Sequence, residues 1–304
     1  MARPRRSAGR WARLLTESRN PKSQRLDALS TEEVVRLLID EDRRAVARVL
    51  KQARAVARAA GLVAHALERG GRVVFVGAGT SGRLGVLEAA ECPPTFATSP
   101  RRIRAVMAGG RDAVFASREG AEDREDRGRR EGRALRPRDV LVGISASSVT
   151  PFVKGALRGA RARRAATVLV TCAPRPGLGR LADVVIAVAA GPEVLTGSTR
   201  LKAGSATKAV LNAMTTAAMV RLGKAYGNLM VDVQPGNAKL RDRAKRIVTA
   251  ATGLPPAQAA RLLDEAKGEA KTAIVMGRLG LDPRGARQRL RAAKGHVRRA
   301  LGER

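Results

Sequence analysis

Five short runs of β-branched and apolar residues, each followed by a helix-like segment, constrain the fold of this chain most strongly. Strands of a sheet covered by helices on both faces appear as continuous apolar runs, and strands that alternate with helices favour parallel pairing. The pattern therefore predicts an α/β protein with a doubly wound, five-stranded parallel sheet. The predicted strands are Val73–Val76, Ile103–Met107, Val140–Ile144, Thr167–Val170 and Val184–Val188.

The segments outside the sheet are predicted to be mostly helical. Helical spacing of apolar residues extends over Thr31–Glu68, with a break expected near Asp40–Asp42, and a long helix is predicted over Ala203–Leu222. Three or four short amphipathic helices are predicted over Pro255–Leu301. These patterns divide the chain into a disordered basic arm (1–15), an α/β domain with its N-terminal helices (16–248) and a small helical domain (249–304).

Charge and composition restrict the classes of partner. The formal net charge is +32, but the arginines are spread along the whole chain, without zinc-finger spacing or an aromatic-rich RNA-binding motif. A solvated basic surface that attracts anionic substrates is therefore favoured, and no specific nucleic-acid partner is expected. No run of 18 apolar residues exists, so no membrane partner is expected. The two cysteines lie on separate predicted elements, which favours the reducing cytoplasm.

The turn after the first strand has the composition of a phosphate-binding loop. Glycine-rich residues Gly77–Gly82 open a helix, where backbone N–H groups and the helix dipole favour an anion. The spacing also matches a dinucleotide motif, but no acidic residue follows at the distance required to hold a ribose. Gly79, Thr80 and Ser81 instead favour a compact phosphomonoester. A tight strand–helix turn with no ligand remains an alternative.

A second hydroxyl-rich loop follows the third predicted strand. Its candidate phosphate ligands are Ser145, Ser147, Ser148 and Thr150, and Pro151 suits the first position of a helix. Two such loops in one parallel sheet favour a phosphate site more strongly than either loop alone. Serine and threonine are also common helix N-caps, so that alternative stays open.

Carboxylates are the best candidates for catalysis. The two histidines lie in different predicted helices and the cysteines have no histidine neighbour, so no metal site is predicted. Glu91 ends the first helix after the glycine-rich turn, and Glu119 and Glu122 follow the second strand. Paired carboxylates beside a phosphate pocket suit acid–base chemistry on a sugar. Solvated acidic residues at a helix start are the alternative for Glu119 and Glu122.

Several stretches resemble the N-acetylmuramic acid 6-phosphate etherases of the sugar-isomerase domain superfamily. They are TESRNPKSQRLDALST, VGAGTSGRLGVLEAAECPPTF, EGAED, GPEVLTGSTRLKAGSATKAVLN and GKAYGNLMVDV. The resemblance implies a cytoplasmic homodimer that needs no cofactor. It also implies a lyase of amino sugar catabolism and cell wall recycling. Such a lyase cleaves the lactyl ether of N-acetylmuramic acid 6-phosphate to give N-acetylglucosamine 6-phosphate and D-lactate.

The resemblance also implies roles for individual residues. Glu122 would be the base that removes the C2 proton of the open-chain aldehyde, and Glu91 the acid that protonates the departing lactate oxygen. Glu193, Ser198 and Lys202, in the stretch GPEVLTGSTRLK, are further candidates for substrate binding. Two alternatives remain: an aldose–ketose isomerase with Glu193 as proton shuttle, and a non-catalytic sugar-phosphate sensor similar to glucokinase regulatory protein.

One loop departs from the family pattern. Where the family typically has AASGRTPY, this chain has SASSVTPF. Ser148 replaces a glycine, which adopts positive φ easily, and Val149 replaces an arginine near the anion site. The departure predicts weaker binding of the substrate.

Overall fold

All five apolar runs form strands. The computed structural model describes residues 14–233 and 236–303, so residues 1–13 of the predicted basic arm lie outside the described part. The strands are Val73–Gly77 (β1), Ile103–Met107 (β2), Val140–Ile144 (β3), Ala166–Thr171 (β4) and Val184–Ala187 (β5). The helices are Thr31–Val49 (α1), Ala53–Glu68 (α2), Gly79–Phe96 (α3), Glu125–Arg133 (α4), Pro151–Ala162 (α5), Lys202–Arg221 (α6), Ala238–Thr252 (α7), Pro256–Glu265 (α8), Ala270–Leu279 (α9), Pro283–Ala292 (α10) and Val297–Leu301 (α11).

The strands make one parallel sheet in the order β2-β1-β3-β4-β5. The predicted fold class is thereby confirmed. After β2 the chain crosses β1 to form β3, so the connections that leave β1 and β3 run to opposite sides. Doubly wound sheets of this order bind ligands at that switch point, outside the carboxyl ends of the strands. Gly77 of β1 pairs with Ile144 of β3, so the two hydroxyl-rich turns begin on neighbouring strands.

Helices cover both faces of the sheet. Val74, Leu141 and Leu169 belong to one apolar cluster with Val153 and Leu157 of α5. The side chain of Phe75 points to the opposite face, where α3 packs so closely that a Cβ on Gly85 would lie 3.0 Å from the Phe75 Cβ. Both faces therefore exclude water, which explains why the strands are apolar along their whole length.

Helices α4 and α5 touch at backbone distance because glycines line their interface. A Cβ on Gly128 would lie 1.9 Å from the Phe152 oxygen, and one on Gly155 would lie 2.0 Å from the Glu125 oxygen. Gly132 and Gly159 make the same kind of close approach. The glycines hold α4, which follows the loop carrying Glu122, against the helix that follows β3.

The N-terminal helices differ from the prediction in the position of their break. Ser30 and Glu33 form a complete capping box at the start of α1, but the helix continues through Asp40–Asp42 and ends before a 3-10 turn at Leu50–Gln52. The acidic side chains do not interrupt the helix because Glu41 is bound by Lys202 and Lys22 rather than by its own backbone. The prediction of a break near Asp40–Asp42 is wrong.

The chain divides into two compact units. The described residues of the first are 14–89 and 104–215, and those of the second are 90–103, 216–233 and 236–303. The second unit contains α7–α11 around its own apolar cluster, with Val248, Ile274 and Val275 fully buried. The predicted short C-terminal helices are therefore present, while the predicted domain boundary at 248/249 stays a prediction. None of the described helices is long and apolar enough to cross a membrane.

Candidate functional site

A cavity of about 170 Å³ lies beside the carboxyl ends of β1 and β2. It brings the glycine-rich turn and the acidic loop together, because Gly79 and Glu122 both line it. The other lining residues are Ala78, Arg83, Met107, Ala108, Ala113, Ser117, Arg118, Glu119, Gly120 and Ala121. Of the predicted site residues, Gly79, Glu119 and Glu122 therefore share this cavity, whereas the other predicted residues do not line it.

The surroundings of Glu122 favour the protonated form of its carboxyl group. It lies on the 3-10 turn Ala121–Asp123, after Gly120 in the left-handed conformation. Although the residue is partly exposed, desolvation of its carboxyl against the cavity wall raises the pKa, and the charges of Asp123 and Glu119 raise it further. A carboxylate with a raised pKa is a stronger base toward a carbon acid than an ordinary one.

Arg83 fixes the loop that carries Glu122. Its guanidinium donates to the carbonyl oxygens of Ala113 (2.9 Å) and Val114 (2.8 Å), so α3 holds the segment after β2 in place. No local pattern in the sequence singles out this residue. It stands inside the stretch GTSGRLG, but its partners are 30 and 31 residues away and become visible only in the folded chain.

The glycine-rich turn leaves two hydroxyls available for a ligand. Gly79 has a positive φ of 52°, and a Cβ on Gly77 would lie 2.7 Å from the Gly82 nitrogen, so the turn is as tight as predicted. Thr80 and Ser81 are half-buried, and neither hydroxyl has a hydrogen-bond partner among the described residues. Uncommitted hydroxyls at a helix N-terminus are suited to an anionic oxygen.

The loop after β3 is partly committed to internal contacts. The Ser145 and Thr150 hydroxyls bond each other at 2.8 Å. Ser148 is buried and has a positive φ of 59°, and its Oγ accepts the N–H of Leu178 at 3.2 Å. The Ser147 hydroxyl is half-buried and has no partner among the described residues. Of the four predicted phosphate ligands in this loop, Ser147 is therefore the one whose hydroxyl remains free to bind a ligand.

The three candidates before and at the start of α6 lie in different surroundings. Glu193 is buried and accepts the N–H groups of Lys202 (3.2 Å) and Ala203 (3.0 Å), so it caps α6; burial raises its pKa, although these bonds act in the opposite direction. Lys202 is buried and paired with Glu41. Ser198 is half-buried, and its hydroxyl has no partner within the described part of the chain.

Glu91 lies on α3 and falls in the second compact unit. Its side chain is exposed, and its backbone oxygen accepts the Thr95 hydroxyl at 2.8 Å. Its pairing with Glu122 in catalysis stays a prediction. Within residues 14–233 and 236–303, no group of three or more His, Cys, Asp or Glu side chains could hold a metal ion.

Two comparisons with known proteins concern the architecture of the chain. The family model of the glucokinase regulatory protein N-terminal SIS domain matches residues 55–161. A solved structure assigned as a sugar-phosphate isomerase from Listeria monocytogenes is similar, with a TM-score of 0.50 and 17% identity, over 68% of this chain and all of that one. This similarity supports the fold.

Relatives found by sequence have a higher identity to this chain than the solved structure does. N-acetylmuramic acid 6-phosphate etherase of Cutibacterium acnes is 51% identical over 95% of this chain and 95% of its own length. The etherase of Rubrobacter xylanophilus is 53% identical over 97% of this chain and 98% of its own length. With this identity over nearly the whole of both chains, the protein belongs to the N-acetylmuramic acid 6-phosphate etherase family.

Proposed function

We propose that this protein is a carbon–oxygen lyase that cleaves the D-lactyl ether of N-acetylmuramic acid 6-phosphate. The products are N-acetylglucosamine 6-phosphate and D-lactate, as in the recycling of cell wall amino sugars. The observation that carries the proposal is the cavity in which Glu122, with its raised pKa, faces the tight turn at Gly79. A base and an anion-binding turn in one cavity are what proton abstraction from a sugar phosphate requires.

Glu122 begins the reaction as the base. In the open-chain substrate the C2 proton is acidic because the neighbouring C1 aldehyde stabilises the resulting negative charge. Glu122 accepts this proton, the electron pair forms a C2–C3 double bond, and the ether oxygen leaves C3 with the lactyl group. Since the carboxyl must be ionised to accept a proton, the raised pKa of Glu122 makes the rate fall as the pH falls through that pKa.

Glu91 is assigned as the acid. It donates a proton to the departing lactate oxygen and then, as a carboxylate, removes a proton from the water that adds to C3. The C2 carbon regains a proton at the same time, so the saturated aldehyde is restored and no external oxidant or reductant is consumed. The exposure of Glu91 is consistent with access to water.

The phosphate group lies, in this proposal, at the switch point between β1 and β3. The strands are about 5 Å apart there, so the turns that carry Thr80, Ser81 and Ser147 can contact one small anion. Their hydroxyls have no protein partner among the described residues, which supports this role. The positive net charge adds long-range attraction for a phosphorylated sugar.

Two further expectations belong to the proposal. A homodimer is supported by an exposed apolar stripe formed by Val35, Ile39 and Val46 of α1 and by Leu50, whose spacing places all four on one side of the helix. A cytoplasmic location is expected because the two cysteines lie on separate elements and indicate no disulfide framework. The isomerase alternative is less well supported because the carboxylate of Glu193 is occupied by the N-terminus of α6.

Release of D-lactate from N-acetylmuramic acid 6-phosphate tests the proposal. The purified protein should release D-lactate and N-acetylglucosamine 6-phosphate in equal amounts. Conversion of glucosamine 6-phosphate to the ketose without lactate release would support the isomerase. Tight binding of the substrate without any turnover would support the sensor, and either result would overturn the proposal.

A further inference from the structure

The loop that follows β4, residues 172–178, is fastened at both ends to the hydroxyl-rich loop after β3. At its start, the Ala146 oxygen accepts the N–H of Cys172 at 3.0 Å and the hydroxyl of Thr171 at 3.1 Å. At its end, the N–H of Leu178 donates to the Ser148 hydroxyl at 3.2 Å. The two loops therefore form one unit at the carboxyl edge of the sheet.

Ser148 performs this fastening at a conformational cost. Its φ of 59° lies in the left-handed region, which glycine adopts far more easily than serine. A glycine at this position would have no hydroxyl for the Leu178 N–H. The buried Ser148 therefore adopts an unfavourable backbone conformation, and its hydroxyl holds the loop after β4 in place.

The hydroxyl-rich loop contains no cation of its own, since residues 145–153 contain neither lysine nor arginine. Three basic side chains of the first unit are already occupied by protein groups. Lys154 pairs with Glu125 at 2.9 Å, Lys202 pairs with Glu41, and Arg83 donates to backbone oxygens.

Arg175 is exposed and has no ion pair or hydrogen bond among the described residues, as is also true of Arg180 and Arg200. Unlike those two, it lies within the loop that is fastened to the hydroxyl-rich loop. It lies three residues from each fastened end of the loop. Its Cα is therefore within about 11 Å of the Cα atoms of Cys172 and Leu178, whichever path the loop takes.

We infer that Arg175 binds the phosphate group of the substrate and supplies the positive charge that the loop after β3 lacks. The inference rests on the proposed function, in which the phosphate lies at that loop beside Ser147. Ser148 is then a positioning residue, because it acts through the loop that carries Arg175. The planar guanidinium can donate two parallel hydrogen bonds to phosphate oxygens.

Calorimetric titration with inorganic phosphate and with N-acetylglucosamine 6-phosphate tests the inference without requiring catalysis. Arg175→Gln should weaken both by about tenfold, the loss of one charge-assisted contact. In steady-state kinetics it should raise KM and leave kcat within about twofold. Arg180→Gln is the matched control, since Arg180 is also exposed and unpaired among the described residues, and it should change binding less than twofold. Equal binding by the Arg175 variant and the wild type would overturn the inference.

Two further variants test whether Ser148 acts through the loop that carries Arg175. Ser148→Gly should weaken phosphate binding because the loop is released, and adding Arg175→Gln to it should then cost less than twofold. Val149→Arg should restore binding to the Arg175→Gln protein, since it supplies a new cation at the start of α5. If Ser148→Gly does not weaken phosphate binding and Val149→Arg does not restore it, the role of the loop in positioning Arg175 is overturned. If the wild type releases no lactate but Arg175→Gln still weakens phosphate binding, the proposed function fails and this inference stands.

Discussion

Two carboxylates of the first unit are shifted in opposite directions by their surroundings. Desolvation, with the charges of Asp123 and Glu119, raises the pKa of Glu122. Burial would also raise that of Glu41, but hydrogen bonds from Lys202, Lys22 and Asn20 outweigh it and lower the pKa of Glu41 to about 2. Only the first of these carboxyl groups is suited to take up a proton during catalysis.

The cluster around Glu41 gives a prediction about stability. Glu41→Gln removes the ion-pair partner of the buried Lys202 and should cost about 3–5 kcal/mol in free energy of unfolding. Lys202→Met should cost less, because Glu41 keeps Lys22 at 2.9 Å and Asn20 at 3.1 Å. Urea denaturation measures both. Equal losses, or a loss below 1 kcal/mol for Glu41→Gln, would contradict this description.

The same cluster sets a pH dependence. The folded-state pKa of Glu41 is below the value of about 4.3 expected in the unfolded chain. The contribution of Glu41 is therefore fully present above pH 4.3 and is lost as the pH falls toward 2. Lys202→Met should reduce this acid sensitivity, since it removes one of the bonds that lower the pKa.

Sequence reasoning reached some site residues and missed others for a physical reason. The hydroxyls of Thr80 and Ser81 and the carboxyl of Glu122 belong to recognisable local patterns beside predicted strands. The hydrogen bond from the Leu178 N–H to the Ser148 hydroxyl joins residues 30 positions apart, so no local sequence pattern predicts it. The same holds for Arg83, whose role depends on where the loop after β2 folds back.

At the scale of elements, the α4–α5 interface depends on glycines that helix propensity would disfavour. Alanine is the better helix former by about 1 kcal/mol, yet a Cβ on Gly155 would lie 2.0 Å from a backbone oxygen. Gly155→Ala should therefore destabilise the protein by about 1–3 kcal/mol through overpacking. Gly204→Ala is the control, because its Cβ would lie 3.6 Å from the nearest atom and should be neutral or stabilising. Thermal unfolding measures whether each variant is less or more stable than the wild type. A stabilised Gly155→Ala protein would refute the packing argument.

The strands were predicted to within one residue at nearly every end, whereas the break in the N-terminal helices was misplaced. Continuous apolar runs identify buried strands because both faces of the sheet are covered. The break predicted near Asp40–Asp42 does not occur, because Asp40 pairs with Arg43 and Arg44 of the same helix and Glu41 pairs with the distant Lys202. Such a tertiary partner cannot be read from the local pattern.

At the scale of the whole molecule, the chain combines a parallel-sheet unit with a helical second unit and a large positive charge. The alternation of strands and helices predicts the parallel sheet, whereas the strand order β2-β1-β3-β4-β5 is seen only in the structure. The absence of a specific nucleic-acid partner stays a prediction. An excess of positive charge increases the local concentration of a phosphorylated substrate without requiring any nucleic acid.

The proposed mechanism requires that Glu122 removes the C2 proton. The direct measurement is incorporation of deuterium at C2 when N-acetylmuramic acid 6-phosphate reacts in D₂O. Wild type and Glu119→Gln, a change at a neighbouring carboxylate in the same cavity, should both incorporate deuterium. Glu91→Gln should still exchange while releasing lactate slowly. Glu122→Gln should lose exchange and lactate release together, by about 10²–10⁴-fold; exchange at the wild-type rate in Glu122→Gln would contradict the claim.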